Sequence, residues 1–185
     1  MRSPKHFVIT DDVTQRVNLL VRSRLPWLVV GLMGGLVSSV LVSKFENILS
    51  TNLYLVFFIP VIVYISDAVG TQTETIYIRN LATFKDNFAK YLAKEILVGC
   101  FLGIILGAIL GLVAFLWLGS AKAALTVSLA LFINTIIAPV VAIVIPEILF
   151  KENFDPALGG GPFTTVVQDF ISLLIYFLVA TAIIL

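Results

Sequence analysis

Five apolar stretches, near residues 25–43, 53–73, 95–118, 123–149 and 163–185, govern what this chain can fold into. Each is close to the roughly 20 residues that an α-helix needs to cross a bilayer. Mean hydropathy is +1.07 and only 12% of the residues are charged, about half the usual share in a soluble domain. The longest polar segment is Met1–Arg24, too short for a soluble domain. The expected fold is all-α and integral to the membrane, with five transmembrane helices. It divides into an N-terminal cytoplasmic segment, 1–24, and a five-helix domain, 25–185.

The basic residues set the expected orientation. Ten of the twelve Lys and Arg residues lie before the first span, between the second and third, or between the fourth and fifth; only Lys44 and Lys122 fall on the other side. Cytoplasmic loops carry the excess of Lys and Arg, so the N-terminus is expected in the cytoplasm and the C-terminus outside. The expected location is the cell (inner) membrane, crossed several times, with lipid as a partner. The N-terminus does not read as a signal peptide, because its first apolar run begins only at Leu25 and more runs follow. Residues 10–24 read as a short amphipathic helix capped by Asp11 or Asp12, with Val13, Val17, Leu20 and Val21 on one face. A solvated linker that merely carries orienting charge is the alternative.

Within the spans, Gly99, Gly103, Gly107 and Gly111 repeat every four residues. That spacing places them on one helix face, where they admit a neighbouring backbone. Pro139 and Pro146 predict a kink or tilt in the fourth span. Trp27 and Trp117 sit near span ends, as interfacial anchors do. Cys100 is the single cysteine, so no intrachain disulfide can form.

Chemistry concentrates on a few polar residues. Asp169 lies about two turns into the last apolar stretch. A charged side chain facing lipid at such depth costs roughly 2.5 kcal/mol or more, which points to a watery path, a partner charge or an ion. Asp67 lies in the second span, between Pro60 and Gly70, which both weaken that helix. Counted from the span ends, each acid is roughly 9 Å from the cytoplasmic side at 1.5 Å per residue. Two acids at one depth can share a cation, share a proton or face different cavities. Neutral oxygen donors surround them: Thr71, Gln72 and Thr73 near Asp67, Thr164, Thr165 and Gln168 near Asp169, and Asn134 with Thr135 in the fourth span. Hard cations such as Mg²⁺ take oxygen ligands, and no His or Cys cluster favours a softer metal. The candidate cation ligands are therefore Asp169, Asp67, Thr165, Gln72 and Asn134, although each neutral residue also suits an ordinary interhelical hydrogen bond. Glu147 reads as a solvated helix end, with an exit-lining residue as the alternative, and Glu74 as a solvated or paired residue near the inner face. An enzyme is not expected, since HExxH, a nucleophile elbow and a phosphate-binding glycine loop are all missing. Net charge of +1 gives no sign of a nucleic-acid partner.

Several motifs resemble one family. RSRLPWLVVGLMGGLVSSVLVSKFE opens the resemblance, followed by a Pro60-led span closing on Gly70–Gln72, then RNLA at 79–82, then FDPALGGGPFTTVVQDFISLLIYF. Residues 22–185 are thereby similar to the transmembrane domain of MgtE magnesium transporters and channels. The resemblance implies a homodimer with its pore on the two-fold axis, and Mg²⁺ or another divalent cation as the transported ion. It also implies that Asp169 faces its symmetry mate and holds a hydrated Mg²⁺. Two departures stand out. Where the family reads GGN before its GxQ, this chain has Ser66, Asp67 and Ala68, so a carboxylate replaces a glycine. The family's large cytoplasmic domains, which sense Mg²⁺, have no counterpart in the roughly 24 residues before the first span. An ion- or proton-coupled antiporter on the same scaffold, with Asp67 as the titrating site, and a non-transporting scaffold subunit are the two alternative readings.

Overall fold

A computed structural model describes residues 15–81 and 88–184. Six helices are present among them: α1 (Val17–Lys44), the short α2 (Glu46–Thr51), α3 (Tyr54–Asn80), α4 (Phe88–Leu118), α5 (Ala121–Lys151) and α6 (Pro156–Ile184). The five long ones are each apolar and long enough to cross a bilayer. Helices suit this sequence because hydrocarbon offers backbone groups no partners, so each segment must satisfy its own.

The helices run past the apolar stretches, and local chemistry explains where they stop. Gly119 has φ 62° and its N–H bonds the Phe115 carbonyl at 2.8 Å, closing α4. The left-handed conformation there suits glycine, which has no Cβ to clash. One residue on, Ser120 Oγ accepts from the Ala123 N–H at 3.3 Å and opens α5, as an N-cap serine does. At the far end of α5, Asn153 takes φ 65°, and Asp155 Oδ1 then accepts from the Ala157 N–H at 2.9 Å. Pro156, with no N–H to leave unsatisfied, starts α6. The last helix thus begins seven residues before the expected 163, and Pro162 lies inside it. The lengths of α3 and α6 also change the expected depth of the acids. Asp67 is 13 residues from Asn80 and Asp169 is 13 residues from Pro156, roughly 20 Å each at 1.5 Å per residue. They keep a common level, but near the middle of their helices rather than close to one end. Residues 17–24 form the first two turns of α1 and continue into the span without a break; Asp11, Asp12 and Val13 lie outside the described residues.

Packing centres on α5, whose interior positions are buried by α3, α4 and α6. The α4–α5 pair is the tightest because the glycine stripe of α4 is buried against it. Gly99 lies against the Thr135 carbonyl, Gly103 against Thr135 Oγ1 and Phe132, and Gly107 and Gly111 against Ser128. The Thr135 carbonyl is also the one that Pro139 leaves without its helical N–H partner. Despite Pro139 and Pro146, α5 remains one continuous helix. In contrast, α1 packs mainly on α6 and leaves most of its apolar side chains exposed. Trp27 of α1 covers Gly159 of α6 and meets Phe154 edge-on at 5.9 Å. Trp117 stacks on Phe57 at the opposite end of the bundle, also at 5.9 Å.

Candidate ion-binding site

The polar residues of α3 and α6 meet along one seam. On α3, Asp67 and Glu74 are seven residues apart, two helical turns, and so lie on the same face. On α6, the neighbouring hydroxyls of Thr164 and Thr165 answer them. Thr165 Oγ1 donates to Asp67 Oδ1 at 3.2 Å, and Thr164 Oγ1 donates to Glu74 Oε1 at 3.3 Å. Glu74 is buried, at 5% exposure, and its Oε1 packs against Gly160, where a Cβ would meet it at 2.7 Å. Of the two expectations for Glu74, the solvated one does not hold: it is a buried, paired carboxyl whose partner is a hydroxyl. An acid near a span end looks solvated by position alone; the seven-residue spacing from Asp67 is the signal in the sequence that puts it on the same face.

Asp169 lies one turn beyond Thr165 on α6, so the two share a face. That face lines a cavity of about 650 Å³ between α1, α3 and α6, bounded also by Ser38, Ser39, Pro60 and Pro162. Asp169 is half-buried and makes no hydrogen bond or ion pair among the described residues. Asp67 is the acidic neighbour common to Glu74 and Asp169. Three carboxyl groups thus lie along one seam with no basic partner among the described residues. In a medium that solvates charge poorly, such an arrangement favours a bound cation, water or protons over bare carboxylates.

The structure groups the five candidate ligands unequally. It brings together Asp169, Thr165 and Asp67. Gln72 is exposed on α3, about 140° around the helix from Asp67 at 100° per residue. Asn134 is buried at the α5–α6 contact, where its Nδ2 donates to the Ser172 carbonyl at 3.3 Å, away from the cavity lining.

A second set of acids anchors the helices nearer the Asn80 end of α3. Thr73 Oγ1 donates to Glu95 of α4 at 3.1 Å. Tyr77 Oη donates to Glu147 of α5 at 2.7 Å, and Glu147 also pairs with Lys151 at 3.3 Å. Glu147 is 4% exposed, so the expected solvated helix end is instead a buried anchor. The five residues from Thr73 to Tyr77 therefore tie α3 to α4, α6 and α5 through three hydroxyl–carboxyl bonds.

The MgtE family model, described as a divalent cation transporter, matches residues 59–179. The chain belongs to the MgtE family. The match takes in both α3 beyond Ile59 and α6 as far as Val179, and so the whole carboxyl seam. Among curated proteins, the magnesium transporter MgtE of Bacillus subtilis is 35% identical over 162 residues, which is 86% of this chain and 36% of that protein. That of Enterococcus faecalis is 30% identical over 178 residues, covering 94% and 39%. That of Thermus thermophilus is 31% identical over 162 residues, covering 85% and 36%. The chain thus spans a little over a third of the length of these relatives. Membership and the five membrane-length helices make it a multi-pass membrane protein.

Proposed function

We propose that this MgtE-family chain carries divalent cations, Mg²⁺ foremost, across the membrane through a homodimeric pore on a two-fold axis. One observation carries the reading. Asp169 stands without a partner among the described residues, on a mid-helix face that lines a cavity of about 650 Å³. Six waters at about 30 Å³ each occupy roughly 180 Å³, so a Mg²⁺ ion can lie there with its hydration shell intact. That suits an ion that dehydrates reluctantly. In the proposed dimer, Asp169 from each protomer contributes to a charge of −2 around the hydrated ion. Thr165 holds Asp67 beside it, and the carboxylates attract cations without stripping them. The thinly covered α1 and the open cavity between α1, α3 and α6 support a second copy on this side. The Lys and Arg distribution supports an N-terminus in the cytoplasm.

Flux in proteoliposomes tests the proposal. Wild-type protein should pass Mg²⁺ down an imposed gradient, and Asp169→Ala should not, while both run as dimers by light scattering. Undiminished flux from Asp169→Ala would remove the central role of that residue.

A coupled antiporter is the second reading, supported by the carboxyls of Asp67 and Glu74, which sit behind the Asp169 face. The same vesicles with opposed Na⁺ or H⁺ gradients separate the two: a channel follows the Mg²⁺ gradient and voltage alone, whereas an antiporter needs the counter-ion. A scaffold subunit would show no flux under any gradient.

A further inference from the structure

Glu74 is set into α6 rather than merely beside it. Its Oε1 accepts from Thr164 Oγ1 at 3.3 Å, and the same oxygen lies where a Cβ on Gly160 would meet it at 2.7 Å. Gly160 and Thr164 are four residues apart and so are neighbours on one face of α6. The glycine therefore clears a notch, and the threonine supplies a donor beside it. Glu74 and Thr164 are 5% and 3% exposed. Asp67 takes the adjoining hydroxyl, Thr165 Oγ1, at 3.2 Å. Asp67 and Glu74 are roughly 10 Å apart along α3, whereas Thr164 and Thr165 are about 1.5 Å apart along α6 and about 100° apart around it. The two carboxyls thus converge on α6 from opposite directions along α3. Either bond alone would let α6 slide or turn one way; together they oppose both.

The clamp lies where α6 needs one. Between Pro156 and Asp169 the helix contains Gly159, Gly160, Gly161 and Pro162, all weak helix formers. Pro162 also leaves the Leu158 carbonyl without its helical N–H partner. Beyond Asp169 other bonds hold the helix: Asn134 Nδ2 donates to the Ser172 carbonyl at 3.3 Å, and Tyr176 Oη to the Leu55 carbonyl at 2.7 Å. Before Asp169, the side-chain hydrogen bonds from α6 to α3 among the described residues are those of Thr164 and Thr165.

We propose that Glu74 is a positioning residue: through Thr164 it fixes the first half of α6, and with it the aim of Asp169 into the cavity. The inference rests on the reading of Asp169 as the residue that meets the ion. A side-chain tip about 5 Å from the helix axis moves roughly 2 Å when the helix turns by about 20°. A hydrogen bond to a water of the ion's shell does not survive such a shift, and binding groups need to be held within about 0.5 Å. Glu74 does not line the cavity, so it acts on the ion only through the placement of α6. What it contributes is an acceptor oxygen in a fixed place, not its charge.

Four variants separate position from charge. Glu74→Gln and Thr164→Ser keep the acceptor and the donor; Glu74→Leu and Thr164→Val delete them with little change in shape. Isothermal titration with Mg²⁺ should give a dissociation constant near wild type for the first pair and one raised roughly tenfold for the second, as the loss of a supporting group does. The double variant Glu74→Leu/Thr164→Val should be no worse than either single one, since both break the same bond. A loss in Glu74→Gln as large as that in Glu74→Leu overturns the proposal, because it assigns the effect to charge. The aim of the Asp169 position is also read without any ion. With Cys100→Ser removing the native thiol, a cationic thiosulfonate should modify Asp169→Cys at the same rate with and without Glu74→Gln. The rate should change several-fold with Glu74→Leu or Thr164→Val. An unchanged rate in both of these overturns the proposal, whatever the titration shows. Wild-type Mg²⁺ affinity in Asp169→Ala would instead sink the ion-binding reading, and the modification rates would still decide whether Glu74 places α6.

Discussion

Thr165 Oγ1 lies 3.2 Å from Asp67 Oδ1 and donates to it, which links the acid of α3 to the helix that carries Asp169. Because Thr165 precedes Asp169 by one turn, the bond fixes Asp67 behind the cavity face rather than on it. A hydrogen bond to a charged group contributes about 1.5–3 kcal/mol, enough to hold one rotamer where neighbouring carboxylates would otherwise repel.

Neutralising Asp169 should have the largest effect on transport. Asp169→Asn keeps the shape and removes the charge, so Mg²⁺ flux in proteoliposomes should drop roughly tenfold or more, the consequence of losing about 1.4 kcal/mol of ion stabilisation. Thermal stability in detergent should stay the same or rise, since one uncompensated carboxylate is gone.

Thr165→Val should leave the bundle folded and weaken cation binding less severely. The substitution keeps the volume and deletes the donor to Asp67. Isothermal titration with Mg²⁺ should show a dissociation constant raised about 3- to 10-fold, or about 0.7–1.4 kcal/mol, because only part of that bond's contribution is felt at the ion. An unchanged constant would assign Asp67 to structure.

Glycines inside and outside the α4 stripe should differ sharply in what they tolerate. At Gly103, a Cβ would crowd Thr135 Oγ1 and Phe132, whose carbonyl is 3.1 Å from it, whereas at Gly35 or Gly161 it would meet nothing within 4 Å. Gly103→Ala should therefore destabilise by about 1–3 kcal/mol, as overpacking does. Gly35→Ala and Gly161→Ala should be near neutral or slightly stabilising. Melting curves of the three variants check this; equal behaviour would mean that α4 and α5 can part at little cost.

Tyr77→Phe removes the hydroxyl that donates to buried Glu147 at 2.7 Å. Lys151 still pairs with that carboxylate from its exposed side. The expected loss is about 1–3 kcal/mol, the cost of under-satisfying a buried acceptor. It should appear as a lowered melting temperature, while the Mg²⁺ dissociation constant stays near wild type because the anchor is remote from Asp169.

The sequence alone determined the five membrane-length helices, the close-contact face on α4, though not its partner α5, and the shared level of Asp67 and Asp169. These follow from local quantities: the length of an apolar run, a four-residue glycine repeat and a rise of about 1.5 Å per residue. Helix limits were less legible, because capping chemistry at Asp155–Pro156 and at Gly119–Ser120 acts outside the apolar runs. Only the tertiary structure decided what each polar side chain faces. Rotation of a helix about its own axis is set by packing against its neighbours, and composition does not encode it when every face is apolar. That is why Gln72 turns outward while Glu74, two residues later, is buried against Thr164 and Gly160. It is also why Glu147 becomes an anchor for Tyr77 rather than a solvated helix end.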